Sequence, residues 1–259
     1  EISSSGTLCL FSKKYLGKKF PKWILSNWGS DIIYFIKKNK LKKKIIQTLK
    51  LADYYSAECD RDYNLAKKYG FKGIFLPKTL NSGGIEINKI LKLRKININK
   101  RNIIAVKGYN DDIGKSLNAI KALLQIKNII KKFNIFIYGA DQSLIKSSEI
   151  KKLKKLSKTK IFPRNKPLEN NYILKMFSKS IIYIGISKSD GISTSFLEAI
   201  ACGSFPIQSN TSCSNEYIVN NKTGYLVNWN NINQISNSIK KIIDNKKKLE
   251  YSFKKNWIS

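Results

Sequence analysis

The sequence predicts an alternating α/β protein, with parallel sheets covered by helices on both faces, and three observations predict it. Short β-branched runs alternate along the whole chain with longer amphipathic ones, the order that produces parallel strands joined by right-handed helical crossovers. One stretch, Thr79 to Lys100, breaks the alternation: Asn81-Ser-Gly-Gly84 favours irregular backbone, and the Lys/Asn run after it thins the apolar pattern. The third observation is length, because 259 residues at roughly 150 per domain make one complete domain plus part of another. The expected organisation is a partial domain over 1–80, a linker over 81–100, a complete domain over 101–245 and the start of a terminal helix over 246–259.

In chain order the expected strands are Lys22 to Ser26, Tyr54 to Ala57, Gly73 to Leu76, Ile103 to Lys107, Ile135 to Tyr138, Thr159 to Phe162, Ile181 to Ile186 and Phe205 to Gln208. Helical spacing is clearest at Ile113 to Lys131 and Ile232 to Ile243. The run Ser180-Ile-Ile-Tyr-Ile-Gly-Ile186 is apolar at nearly every position, as a strand buried on both faces requires, and Phe196, Leu197, Ile200 and Ala201 follow it at helical spacing. In such sheets ligands bind beyond the strand C-termini.

Composition narrows the function classes. Histidine is absent and Cys9, Cys59, Cys202 and Cys213 form no C-x-x-C pair, which excludes a zinc site of the usual kind and suits a reducing, cytoplasmic compartment. Cys202, in a small-residue run, reads as a buried packing residue. The formal charge of +32 invites a nucleic-acid partner, but the lysines are scattered over nearly every segment with no helix-turn-helix, zinc or RNP-like motif beside them. A solvated lysine-rich surface is the simpler reading, and such a surface can adhere to anionic lipid headgroups at roughly 1 kcal/mol per well-placed Lys. No apolar run approaches the ~20 residues of a membrane span.

The segment Ser189 to Ile207, SDGISTSFLEAIACGSFPI, places Asp190 and Glu198 on either side of a Gly/Ser/Thr turn that opens a helix. A helix N-terminus offers free N–H groups and the positive end of a dipole, so an anion over Ser193, Thr194 and Ser195 is stabilised without a metal, and the segment itself contains no Asp-x-Asp metal motif. Two structural readings compete: Ser195 to Glu198 also fits an S-x-x-E capping box, and Asp190 is an ordinary residue for starting a turn.

This segment resembles the E-x7-E signature of retaining GT-B glycosyltransferases of family 4 and the small-residue run that follows it, with Asp190 where the first Glu stands. Asn215-Glu-Tyr-Ile-Val-Asn-Asn-Lys-Thr-Gly-Tyr-Leu-Val227 is similar to the family's "EIV-(D/N)G-TG-LV" segment, and Asn231 to Asn245 to its next helix. Ile103 to Tyr109 and Gly114 to Ile120 take the place of the strand, basic loop and helix that open the donor domain. Trp23-Ile-Leu-Ser-Asn-Trp-Gly-Ser-Asp-Ile32 resembles the late acceptor domain, with Trp28 where many relatives have His. The resemblance implies a GT-B fold: a Rossmann-like donor domain plus a partial Rossmann-like acceptor domain, in a fragment that binds nucleotide but by itself transfers no sugar.

It also implies residue roles. Asp190 orients the donor sugar, Gly191 allows close backbone approach, and Ser193 and Thr194 offer donors to the phosphates. Glu198 accepts hydrogen bonds from both ribose hydroxyls. Lys107 and Lys115 lie in the loop where relatives place a phosphate-binding Arg/Lys pair, although the loop spacing departs from "G-R-L-x3-K-G", and both also read as exposed lysines in a chain full of them. Tyr138-Gly139 borders the nucleotide, and Phe162-Pro-Arg164 lies where relatives hold the base, Arg164 being equally compatible with solvent. Glu216 matches an acidic position of the family and also suits a helix first turn. On the acceptor side Gly29, Ser30 and Asp31 line the cleft; Trp28 cannot transfer protons as a histidine does, and a front-face retaining mechanism, in which the leaving phosphate takes the acceptor proton, needs no such residue.

The implied substrates are a UDP- or GDP-linked sugar and a saccharide or lipid-linked acceptor, in surface polysaccharide synthesis, with no cofactor, no specific nucleic acid, and peripheral contact with the inner face of an anionic membrane. The rivals are a GT-B epimerase or phosphorylase, the latter expected to carry a cofactor-lysine motif that is not found, and a non-catalytic basic module of the same fold binding membrane or nucleic acid.

Overall fold

The computed structural model describes residues 2, 4–80, 84–94 and 97–258. The chain divides into two compact units, Glu1–Gly84 with Ser189–Ile192, and Ile85–Lys188 with Ser193–Ser259. In the first unit, helix α1 (Ser5–Leu16) precedes β1 (Ile24–Asn27), α2 (Ser30–Ile33), α3 (Asn39–Leu51), β2 (Tyr54–Ala57), α4 (Asp60–Lys68) and β3 (Ile74–Phe75). Among the described residues the sheet runs β1-β2-β3, all parallel, with Ile24 opposite Tyr54 and Tyr54 opposite Ile74. Alternation on β1 and β2 sends Leu25, Tyr55 and Ala57 into a core closed by Leu10, Ile45, Leu49 and Phe71 from the surrounding helices and loops.

The second unit contains α5 (Ile87–Leu93), β4 (Ile103–Lys107), α6 (Ser116–Gln125), α7 (Lys127–Ile130), β5 (Asn134–Ala140), α8 (Gln142–Ile145), α9 (Ser148–Leu156), β6 (Thr159–Pro163), α10 (Asn170–Lys179), β7 (Ser180–Gly185), α11 (Thr194–Ala201), β8 (Phe205–Ser209), β9 (Tyr225–Val227), α12 (Ile232–Ile243) and α13 (Lys246–Ile258). Among the described residues its parallel sheet runs β6-β5-β4-β7-β8-β9. That is the doubly wound order of a Rossmann-like unit, with the switch point between β4 and β7. Central strand β7 is buried at every position, as the apolar run requires, and Ile235, Ile239 and Ile242 of α12 enter the same core as Ile120 and Leu123 of α6. The α/β fold with parallel sheets is therefore as the alternation predicts.

Three expectations are corrected. The expected linker over 81–100 is helical at Ile87–Leu93 and turns as a 3-10 helix at Ile98–Lys100, while 81–83, 95 and 96 lie outside the described residues. Ile90 and Ile98 are buried, so these apolar positions work through a Lys/Asn-rich stretch that hides their period. The expected helix from Ile113 starts instead at Ser116, because the Asp111 carboxylate accepts the N–H groups of Ile113 and Gly114 (2.9 and 2.7 Å) and folds 111–114 as a turn. Asp190 and Gly191, expected within the 101–245 domain, pack with the first unit. Strand β9 and helix α1 were not expected as elements. No described helix is long and apolar enough to cross a membrane.

Candidate functional site

In an open parallel sheet the space for a ligand lies outside the strand C-termini where the strand order reverses. In the second unit that point is flanked by Lys107, the last residue of β4, and by the loop that leads from β7 into α11. Helix α11 begins at Thr194, with Ser193 as its extended N-cap residue, and the Ser193 side chain makes no capping bond. Its hydroxyl instead accepts from Lys107 Nζ (3.0 Å) and lies 3.1 Å from Ser195 Oγ. Ser195 Oγ is in turn 3.5 Å from the Tyr183 hydroxyl of β7. A lysine ammonium is thus tied through two serines to the strand beneath. The N–H groups of Phe196 and Leu197 bond Ser193 O, whereas those of Thr194 and Ser195 precede any intrahelical acceptor.

This geometry corrects the capping-box reading. Ser195 is the second residue of the helix and its hydroxyl faces Ser193 and Tyr183, so it cannot cap. Glu198 lies one turn along the face that carries Thr194 and Ser195, half-buried, and its Oε1 accepts from Asn170 Nδ2 at 2.6 Å. Burial pushes the Glu198 carboxyl pKa up; the Asn170 bond and Lys89 only partly offset it.

The opposite end of α11 is closed. Arg94 Nη1 donates to Ile200 O (3.2 Å) and Ala201 O (2.7 Å), and its Nη2 to Phe253 O of α13. Arg101 Nη1 donates to Cys202 O (2.9 Å) and Ser180 O (3.3 Å), and both guanidinium groups lie over the Phe253 ring. Burial lowers both arginine pKa values to about 10, which leaves them charged at neutral pH. Burial likewise pushes the Cys202 thiol up to about 12, as its role as an inert packing residue requires.

A second cluster adjoins Lys107. The Lys107 ammonium lies 4.8 Å from the Tyr109 ring centroid, and the Arg164 guanidinium carbon 4.0 Å from it. Arg164 Nη1 is 3.0 Å from Asp111 Oδ2 and 3.5 Å from Asp141 Oδ1. Burial alone would raise the Asp111 pKa, but the N–H groups of Gly114 and Ile113 and the Arg164 guanidinium together hold it below the usual carboxylate range. Gly139 adopts φ +60°, and a Cβ there would come within 2.7 Å of the Tyr109 ring, so that ring occupies the space a side chain would take. Tyr138 itself is buried against Phe136 and Phe177. The aromatic ring that borders the crevice is thus Tyr109, not the expected Tyr138.

Of the sequence-predicted residues, the structure brings Lys107 and Ser193 into contact, with Thr194 and Glu198 on the same helix. Lys115 turns its ammonium onto Asp111 O (2.5 Å). Glu216 is exposed at the end of a 3-10 turn, Ser214–Glu216. In the first unit Gly29 has φ +90°, and a Cβ on it would lie 2.4 Å from Gly191 N, so the two glycines let these backbones pass. Asp190 O accepts from Arg61 Nη2 (2.8 Å), and Glu58 Oε2 accepts the N–H of Ile192 (3.1 Å). Ser30 opens α2, but Asp31 is buried and accepts the backbone N–H of Ile2 (3.1 Å), so it cannot line a cleft. Sequence reasoning missed Tyr109, Asp111, Asp141, Glu58 and Arg61; only the Gly108-Tyr109 and Tyr138-Gly139 pairs, each at a strand end, signalled part of them.

The family model for glycosyl transferases group 1 matches residues 91–257. No curated protein matches the chain by sequence. Among solved structures, the chain resembles sucrose-phosphate synthase from Thermosynechococcus elongatus (14% identity, 97% of this chain and 66% of that one, TM-score 0.73). It also resembles Anabaena HepE, solved in complex with UDP (13% identity, 98% and 71%, TM-score 0.74). Similarity extends to the C-terminal domain of a glycosyl transferase group 1 family protein, LpcC, from Francisella tularensis (19% identity, 68% and 91%, TM-score 0.53). The chain thus spans about two thirds of the length of the first two, and the likeness agrees with the GT-B fold that the motifs imply.

Proposed function

Because the chain belongs to the glycosyl transferases group 1 family, we propose that its second unit binds a nucleotide sugar and that the protein transfers the sugar, with retention, to a saccharide or lipid-linked acceptor in surface polysaccharide synthesis. The observation that carries this reading is the convergence of Lys107, Ser193 and the open N-terminus of α11 at the switch point of the sheet. Sugar transfer needs the leaving diphosphate neutralised while positive charge develops on the anomeric carbon, and a cation beside a helix N-terminus supplies the first need. Glu198, already accepting an amide hydrogen bond, takes the ribose hydroxyls. Asp190 orients the donor sugar, and the leaving phosphate accepts the acceptor proton.

HepE has been solved with UDP and with UDP-glucose, which favours UDP over GDP as the first nucleotide to test. In this reading residues 101–245 form the donor domain, 1–80 the acceptor side, no divalent ion is needed for binding, and the lysine-rich surface keeps the protein at the inner face of an anionic membrane. Calorimetry with UDP and GDP, with and without EDTA, is the test. The expected outcome is binding in the micromolar to millimolar range that chelation leaves unchanged; a folded sample silent toward both nucleotides overturns the reading, and binding abolished by chelator overturns its metal-free part.

A further inference from the structure

We propose that Arg164, carried on the Tyr109 ring, is the second cation of the diphosphate site, the place that loop spacing would give to Lys115. The inference rests on the nucleotide-binding reading above and assigns that site a residue pair of this chain's own. A nucleoside diphosphate carries two to three negative charges, and one ammonium beside one helix N-terminus leaves part of that charge unpaired. Among the described residues, Lys115 and Arg164 are two cations that contact the loop after β4 at Asp111. Lys115 sits in the right loop, and its ammonium turns back onto its own loop at Asp111 O (2.5 Å), with no ring shared with Lys107. Arg164 comes from the end of β6, and its guanidinium shares one aromatic ring with the Lys107 ammonium, at 4.0 and 4.8 Å from the centroid.

The surroundings of Arg164 suit a residue held in readiness. Its guanidinium lies over the Tyr109 ring and its Nη1 alone reaches the carboxylates of Asp111 and Asp141, which fixes a long side chain that would otherwise lose rotamer freedom on binding. About half of the side chain remains exposed, at 47%, so N–H donors not aimed at the two carboxylates are accessible. Asp111 and Asp141 each also hold backbone of the same loop: Asp111 accepts from Ile113 and Gly114, and Asp141 Oδ2 from Asn110 N at 2.7 Å. The loop between Tyr109 and Lys115 is thus pinned around Arg164. The glycine at 139 makes room for the ring that both cations share. Arg is the side chain suited to forked, bidentate contact with phosphate.

The test compares the whole chain with Arg164→Gln, Arg164→Lys, Tyr109→Leu and Lys115→Gln, using UDP and GDP against uridine and guanosine as probes. Loss of a charge-assisted contact to phosphate is expected to weaken diphosphate binding by Arg164→Gln roughly tenfold or more. Nucleoside binding stays within about twofold, Arg164→Lys recovers part of the loss, and Tyr109→Leu falls between the two. Lys115→Gln is expected to change diphosphate affinity by less than about twofold. Equal loss of nucleoside and diphosphate affinity, or a larger loss for Lys115→Gln than for Arg164→Gln, overturns the proposal. If Arg164→Gln does not fold, Arg164→Lys decides alone: unchanged nucleoside binding with measurably weaker diphosphate binding supports the forked contact, and unchanged diphosphate binding refutes it. A wild-type chain that binds no nucleotide overturns the functional reading itself, a result distinct from all of these.

Discussion

Helix α11 has two ends treated in opposite ways. At its C-terminal end, two arginines saturate the carbonyls of Ile200, Ala201 and Cys202 and lie over Phe253. At its N-terminal end, the residue in the capping position turns its hydroxyl to Lys107 and makes no capping bond. Both ends carry orphan backbone groups and dipole charge in equal measure. The difference separates a helix end that the fold satisfies with its own side chains from one whose N-cap hydroxyl is spent elsewhere. Two helices of the same unit do use a cap, α9 through Ser147, whose hydroxyl accepts from Ile150 N, and α12 through Asn231, which accepts from Gln234 N, whereas the N-cap side chains of α5, α6, α8 and α10, like that of α11, make no capping bond.

The largest expected effect comes from breaking the closed end. Arg94→Met keeps much of the side-chain volume but leaves the carbonyls of Ile200, Ala201 and Phe253 without their cationic donor. The Ile200 carbonyl keeps the N–H of Gly203 (2.9 Å), so at about 1.5–3 kcal/mol for a hydrogen bond to a charged group, with partial relaxation, the variant is expected to lose about 2–4 kcal/mol of stability. Urea unfolding followed by circular dichroism measures it, and a loss under about 1 kcal/mol would mean that the arginine is not what holds that end of the helix.

The next effect concerns function at the open end with little change in stability. Glu198→Gln keeps the shape and removes the charge, so nucleotide affinity is expected to fall by about 1.5–3 kcal/mol. Burial raises the Glu198 pKa, so ionising it costs the folded state stability at every pH above the ordinary glutamate value, and that cost disappears as the pH falls below it. Glutamine removes the cost. The variant should therefore be as stable as wild type or more so at neutral pH, and indistinguishable from it in acid. Wild-type nucleotide affinity should decline as the pH drops through the raised pKa and the carboxylate protonates. Thermal melts at pH 4 and 7 beside calorimetry check both halves; a lower melting temperature with unchanged affinity would return Glu198 to a purely structural role.

The two ends also differed in how legible they were. The open end was readable because a β-branched strand, a Gly/Ser/Thr turn and an amphipathic helix are local patterns, and Ser193, Thr194 and Glu198 fall within one such stretch. The doubly wound sheet was readable for the same reason, since each strand announces itself within a few residues. Arg94 and Arg101 were not readable. They sit in a lysine-rich run with no motif, and their partners lie more than a hundred residues away for Ile200 and Cys202. Tyr109, Asp111, Asp141 and Arg164 come from three separate strand ends, so only the folded sheet assembles them. Asp31 failed in the opposite direction: a matching motif marked it for the cleft, while its burial and its bond to Ile2 N give it a structural task. Asp190 shows the same limit, since a segment contiguous in sequence with α11 belongs to the first unit, where Asp190 O accepts from Arg61 Nη2.

The smallest expected effect isolates the comparison within a single residue type. Ser147 and Ser193 both stand at a helix N-cap in extended backbone, and only the first spends its hydroxyl on the helix. Ser147→Ala should therefore cost about 1 kcal/mol, the usual worth of a side-chain cap, whereas Ser193→Ala should change stability by only a few tenths of that. The ranking reverses for ligand binding. Ser193 orients the Lys107 ammonium through a 3.0 Å bond, so its alanine variant should weaken UDP or GDP binding severalfold while Ser147→Ala leaves it unchanged. Melting curves and calorimetry on the two variants give four numbers, and the reading requires them to cross. If both serines cost stability alike and neither affects nucleotide, the open end of α11 is an ordinary frayed terminus, and its hydroxyl contact with Lys107 carries no functional meaning.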